Sequence, residues 1–235
     1  MDITNKLSHD NPLYVPQRKR QNIGESIVVE SPKGILNVTV PSRTITDCDF
    51  EVLGELTALA RGTGVQQRDG NQVYLKGFKI FWNYHQTSAE NIYLSVAVVQ
   101  PNENSPPTPT DFLRSFSSER TLTINNNNVG IDGLKPINTD ENLVLYHAKF
   151  KVGGLIDTTT AFRRNSNLHN STEQDVYIHI NRLVTYDDGG SATCNEKMYL
   201  VCWCHTTTRE AADPLNVQGD LQCKAYMLFE DTDGF

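Results

Sequence analysis

The residues with the most obvious chemical potential are Cys202-Trp203-Cys204-His205. On a strand, Cys202 and Cys204 share one face, while Trp203 and His205 share the other. Two thiolates spaced this way along a flat strand do not wrap a tetrahedral ion as a Cys-x-x-Cys knuckle does. A zinc site would need Cys48, Cys194 or Cys223 to converge on the pair, so the expectation is buried thiols and no metal. Five cysteines behind a polar N-terminus point to reduced side chains acting as small core hydrophobes.

Other candidates are weaker. His85, His147, His169, His179 and His205 are scattered over different segments, and no nucleophile motif of the Gly-x-Ser-x-Gly type occurs. Asp187, Asp188 and Glu210 have the chemistry of general acids, general bases or calcium ligands, but acidic turns ordinarily face water. Gly62-Thr63-Gly64 resembles a fragment of a phosphate loop without its Gly-Lys-Ser/Thr ending. The expectation is a protein that is not an enzyme and carries no cofactor and no catalytic residue.

Charge adds a further constraint. The 235 residues hold 21 Lys+Arg against 28 Asp+Glu, a net of −7, so no basic field covers the whole chain. The one tight basic cluster is Arg18-Lys19-Arg20, inside a polar segment 1–24 that also holds Pro12 and Pro16. That segment is +2, from four cations and two carboxylates, which leaves −9 on the rest. Its cluster reads as a solubilising terminus, a nuclear-import signal or a phosphate contact. Three cations alone give a weak, salt-sensitive grip, which display in many copies would strengthen. Met1 to Asp10 lacks the apolar core of a secretion signal, and no run reaches the roughly 18 apolar residues of a membrane span, so a soluble protein is expected. The sequons at Asn37 and Asn170 are then chance matches.

The elements that must carry these groups are strands. Ile35–Val40, Thr44–Phe50, Gln72–His85, Asn91–Gln100, Asn142–Val152, Asp175–Tyr186, Lys197–His205 and Leu221–Glu230 alternate or run apolar between turn clusters. Ile27–Val29 and Thr121–Ile124 are shorter runs of the same kind, and Val52–Ala60 reads as strand or helical turn. In Gln72–His85 the apolar phase is odd at Val73 and Leu75 but even at Phe78, Ile80, Trp82 and Tyr84, which predicts a bulge at Gly77. In Asn142–Val152 the expected inward residues are Val144, Tyr146, Ala148, Phe150 and Val152, with His147, Lys149 and Lys151 outward. Thr110 to Phe116 reads as one short helix capped by Thr110, with Phe112, Leu113 and Phe116 on one face. Residues 157–174, with Arg163-Arg164, read as loop. No βαβ rhythm and no repeat is visible, so the fold expected is all-β: a single jelly roll, an eight-stranded antiparallel double-sheet sandwich with one short helix. The domains are then an arm, 1–24, and a sandwich, 25–235.

The segment Gly64 to Ile80 narrows this further. Gly64, then Gln67-Arg68-Asp69-Gly70, then a long alternating strand, resembles capsid proteins of small icosahedral viruses: the satellite tobacco necrosis virus coat protein and the capsids of circular single-stranded DNA viruses that encode a replication initiator. Gly70 permits the turn, and Gln67 and Arg68 can bond loop carbonyls. The resemblance spans roughly residues 43–230 and is specific at 64–80. It implies a viral coat subunit that assembles with itself into an icosahedral shell of about sixty copies (T=1). The shell would enclose nucleic acid, expected to be single-stranded DNA, with Arg18, Lys19 and Arg20 touching it. The implied location is the virion, with the host nucleus during assembly, and no membrane. Loops 101–109, 125–141, 157–174 and 206–220 would meet neighbours and host. Members of that family carry a longer and more basic arm than this chain does. Two other classes fit a jelly roll: a lectin-like module stacking sugars on Tyr14, Tyr93 or Tyr199, and a cupin-type enzyme, for which no His-x-His is present.

Overall fold

A computed structural model of the chain describes residues 34–46, 50–87, 91–114, 136–153, 169–187, 191–206 and 218–231. They belong to one unit, Pro32–Phe235. The alternating segments form β1 (Gly34–Val38), β2 (Arg43–Thr46), β3 (Phe50–Glu55), β4 (Gln72–Gln86), β5 (Ile92–Pro101), β6 (Asn142–Val152), β7 (Ser171–Thr185), β8 (Tyr199–Thr206) and β9 (Gln218–Asp231), with a short helix α1 (Pro109–Phe112) after β5.

The strands pair antiparallel in a nested series: β1 and β2 with β9, β3 with β8, β4 with β7, β5 with β6. Pairing of β4 with β9 and of β5 with β8 then closes two sheets, β1-β9-β4-β7 with β2 beside β9, and β3-β8-β5-β6. Because β1 and β2 line up on the same partner, they act as one interrupted strand, and the architecture is an eight-stranded jelly-roll sandwich. Between the sheets lies the main core. It includes Leu75, Phe78, Ile80, Trp82 and Tyr84 from β4, Leu94, Val96 and Val98 from β5, and Met227 and Phe229 from β9. Each such side chain contributes roughly 1.5–3 kcal/mol by leaving water.

The bulge expected at Gly77 is present. Against β9, Leu75 pairs with Phe229 and Gly77 with Leu228, so β4 holds one extra residue. Against β7, Leu75 pairs with Arg182 and Gly77 with His179, so β7 holds one more, with Asn181 in the left-handed region at φ 50°. The inward phase of β4 changes there, bringing both Leu75 and Phe78 into the core.

Several expectations need correction. The N-cap position is held by Thr108 instead of Thr110, without a side-chain capping bond, because Pro109 takes the first helical position, where its missing N–H costs nothing. It ends at Phe112, and Leu113 turns extended to bridge Ile137; Phe116 lies outside the described residues. Strand β7 begins at Ser171, inside the segment read as loop, because the polar run Ser171–Gln174 continues the backbone ladder with Trp82–His85. Val144 does not face the inter-sheet core: Leu145 is an extra residue in β6, since Val98 pairs with Tyr146 and Val99 with Val144. Of residues 52–60, those to Glu55 are strand and the remainder is not helical. Ile27–Val29 and Thr121–Ile124 lie outside the described residues.

A second apolar cluster covers part of the outer face of the four-stranded sheet. Phe50, Ala97, Val99, Tyr199, Val201 and Trp203 pack there beneath Phe112, Leu113 and Ile137. Phe112 sits 4.9 Å from Phe50 and 5.1 Å from Trp203 between ring centres. Strand β5 is therefore buried on both faces, although its alternation predicted one.

Candidate functional site

The Gln67-Arg68-Asp69-Gly70 turn is built around one buried cation. Its backbone returns on itself as Arg68 N–H donates to the Ala60 carbonyl at 3.0 Å and Gly62 N–H donates to the Arg68 carbonyl at 2.9 Å. The Arg68 side chain is fully buried. Its Nε donates to Leu59 O at 3.2 Å, and Nη1 donates to Gly70 O and to Asn71 Oδ1. Its Nη2 donates to Ser191 O at 2.8 Å and to Asp187 O at 3.4 Å. Five donors in a planar fork suit such a site, where Lys could not reach every acceptor. One guanidinium thus joins the segment before β4 to the β7–β8 connection. Gln67 differs from expectation: its Oε1 accepts from Gly64 N–H at 3.0 Å, bonding a loop amide and not a carbonyl. Gly70 is buried, and its carbonyl is one of the Arg68 acceptors.

Tyr186 lies under the guanidinium and donates its hydroxyl to Thr57 O at 3.0 Å. Burial pushes its phenol well above the ordinary range, aided by Cys194 and opposed by the Arg68 charge. The hydroxyl therefore remains a donor. Nearby, Glu55 carries a buried Oε1 without a hydrogen-bond partner. Burial raises its pKa, partly offset by Lys197 and a hydrogen bond from Thr57.

Four of the five cysteines occupy the core, and Cys48 lies outside the described residues. Cys202 and Cys204 point between the sheets with Cys194 and Cys223, while Trp203 points to the outer cluster. Burial drives the Cys202 thiol far up and pushes Cys223 to about 12, so these are hydrophobic thiols and not thiolates. Among the described residues no group of three His, Cys, Asp or Glu side chains is arranged to hold a metal ion. A shallow cleft beside α1 is lined by Glu103, Asp111 and Glu141 and by Asn142, whose buried Oδ1 has no partner, without forming such a group.

On the outer face of the four-stranded sheet, beyond the apolar cluster, β6 presents His147, Lys149 and Lys151 at every second position. Their register partners on β5 are Ala97, Ser95 and Tyr93. The Lys149 ammonium sits 4.8 Å and that of Lys151 6.0 Å from the centre of the Tyr93 ring. The His147 ring stacks on Trp203 at 5.3 Å with 18° between planes. Burial lowers the pKa of Lys149, and burial together with the Lys149 charge lowers that of His147. The sequence marked the outward phase of β6 and, separately, Tyr93 as a stacking ring, but not their meeting or that of His147 with Trp203, because the aromatic members come from two other strands.

Of the other tyrosines expected to stack on sugars, Tyr199 is buried in the outer cluster and presents no free ring, and Tyr14 lies outside the described residues. Arg18, Lys19 and Arg20, the arm 1–24 as a whole, and Arg163-Arg164 also lie outside them. No helix among the described residues is long and apolar enough to cross a membrane. No known family model matches the sequence, and no curated protein matches it.

Proposed function

We propose that the chain is the coat subunit of a small icosahedral virus, assembling with copies of itself into a closed shell around single-stranded nucleic acid. The observation that carries this reading is where the exposed apolar side chains lie. Ile35 on β1, Leu183 on β7 and Leu143 on β6 are 48%, 53% and 49% exposed, and each sits on an edge strand of its sheet; Val65, 82% exposed, lies instead on the turn before β4. Edge strands of solitary proteins usually keep large exposed apolar groups few; β6 also carries the charges of Lys149 and Lys151, but exposed apolar side chains on three edge strands suit subunits that meet around the rim of the sandwich. The jelly-roll order and the resemblance around Gln67-Arg68-Asp69-Gly70 support the same reading. Closed symmetry distributes these contacts so that none is left open. In this reading about sixty copies form the shell, the arm residues Arg18, Lys19 and Arg20 touch the packaged strand, and the virion is where the protein resides.

The test is particle formation. Purified protein examined by electron microscopy and light scattering across salt and pH should give closed particles of uniform size. A monomer under every condition overturns the reading. Removing residues 1–24 should leave particles that carry less nucleic acid.

A further inference from the structure

We propose that the strip formed by Tyr93, His147, Lys149 and Lys151 on the outer face of the four-stranded sheet is a contact surface for single-stranded nucleic acid, with phosphates at the lysines and a base against the aromatic edge. The proposal extends the shell reading and rests on it for the identity of the polyanion.

The chain as a whole is acidic at −7, so a local row of cations stands out against its own background. Lys149 and Lys151 are exposed and form no ion pair among the described residues. On the other sheet Lys76 pairs with Glu230 at 2.7 Å and Lys79 with Asp175 at 3.8 Å, and exposed Lys224 stands without an ion pair among the described residues but has no second unpaired lysine two positions along its strand. The two β6 lysines stand about 7 Å apart along the strand, both on one face. They flank Tyr93 instead of a carboxylate, which leaves their charge to be met from outside. The lowered pKa of Lys149, and of His147 beside it, is what a partly desolvated cationic row without a counter-charge produces. Cations interleaved with an aromatic ring are the combination that holds single strands without reading their sequence: the charges track the backbone and the ring offers a stacking surface. Strand β6 also forms the edge of its sheet among the described residues, so a chain running along it meets no further described strand.

The experiment uses the full-length protein and a fluorescein-labelled twenty-nucleotide oligo-dT, with anisotropy read between about 50 and 200 mM salt. For single strands each neutralised phosphate contributes about 0.7 to the salt slope, so Lys149→Gln with Lys151→Gln should lower it by about 1.4 and weaken binding roughly tenfold at intermediate salt. Lys149→Arg with Lys151→Arg should restore both. Tyr93→Leu should weaken binding severalfold and leave the slope in place. The control pair, Lys79→Gln with Lys224→Gln on the opposite sheet, should change the slope less. An unchanged slope in the β6 pair overturns the proposal, as does an equal loss in the control pair. Light scattering of the same samples keeps the two readings apart. A reduced slope in a protein that never forms shells retains the surface and discards the shell; shells with an unchanged slope do the reverse. Loss of shells in the β6 pair with an unchanged oligonucleotide slope would assign the strip to an acidic segment of a neighbouring copy and so overturn it.

Discussion

The guanidinium carbon of Arg68 lies 4.6 Å from the centre of the Tyr186 ring, so the only fully buried cation of the described residues rests on an aromatic face. The ring supplies the attraction that water would otherwise give, and four carbonyls with one side-chain amide take the N–H donors. The turn before β4 and the connection after β7 are thereby held at a fixed separation. That geometry sets where β4 enters the sandwich.

Replacing Arg68 with Ala leaves the buried Leu59 and Gly70 carbonyls without a donor, removes a donor from the part-buried Asp187, Ser191 and Asn71 acceptors, and leaves a cavity over Tyr186. Each buried acceptor left open costs about 1–3 kcal/mol, and the loss should total at least ~3 kcal/mol. For a chain of this size that lowers the melting temperature by roughly 6–12 °C. Arg68→Lys keeps the charge but not the fork and should recover less than half. Urea unfolding measures both, and a change within about 0.5 kcal/mol for the Ala variant would refute the structural role.

Gly77 makes a backbone contact no other residue can match. A Cβ at that position would collide with the Ile178 carbonyl oxygen on β7. Gly77→Ala should therefore destabilise by about 2–3 kcal/mol, as overpacking does. Gly54 is the internal comparison, since its Cβ would meet Thr39 O at an ordinary 3.7 Å. Gly54→Ala should stay within about 1 kcal/mol of the parent. Equal costs at the two sites would argue against the close approach of Gly77 to Ile178.

His147 should titrate below the ordinary histidine value of 6.5, because burial and the Lys149 charge both disfavour the imidazolium. Over that window the unfolded chain binds more protons than the folded one, so stability is lost as pH falls from the ordinary value towards the folded one. Trp203 stacks on the ring and reports it: in a Trp82→Phe background its fluorescence should change with a midpoint below 6.5. Lys149→Gln removes one of the two causes and should move the midpoint upward. A midpoint at or above 6.5 in the parent would contradict the packing.

Glu55 behaves in the opposite sense. Its raised pKa means that the folded protein holds the proton more tightly than the unfolded chain does. The stabilisation this gives is complete below the ordinary value of 4.5 and disappears as pH rises through the folded value. Glu55→Gln removes the charge, so the variant should melt roughly 2 °C higher at about pH 8 and match the parent near pH 4. Calorimetry at the two pH values checks the sign, and a variant less stable under the alkaline condition would mean that the attraction to Lys197 outweighs burial.

Much of the sandwich was legible in the chain because a strand whose faces differ must alternate. Phe78 to Tyr84 announced both their strand and, through the change of phase, the bulge at Gly77. The same rule sorted Cys202 and Cys204 from Trp203. Alternation misleads where both faces are covered: Ser95 and Ala97 stand opposite the apolar phase of β5, yet both are buried, Ala97 in the cluster with Phe112 of α1. It also misplaced Val144, because nothing in the composition of β6 marks Leu145 as an inserted residue.

By itself the sequence determined the class of fold, the phase of most strands and the importance of the Gln67-Arg68-Asp69-Gly70 turn, all of which depend on neighbours within a few residues. Tertiary structure alone decided what those features touch. Arg68 reaches Ser191 across 123 positions, and Tyr93 comes to lie between Lys149 and Lys151 because β5 and β6 pair in one register. Such meetings are set by how the sheets close and which residues bulge. These are cooperative choices of the whole chain, and no local pattern encodes them.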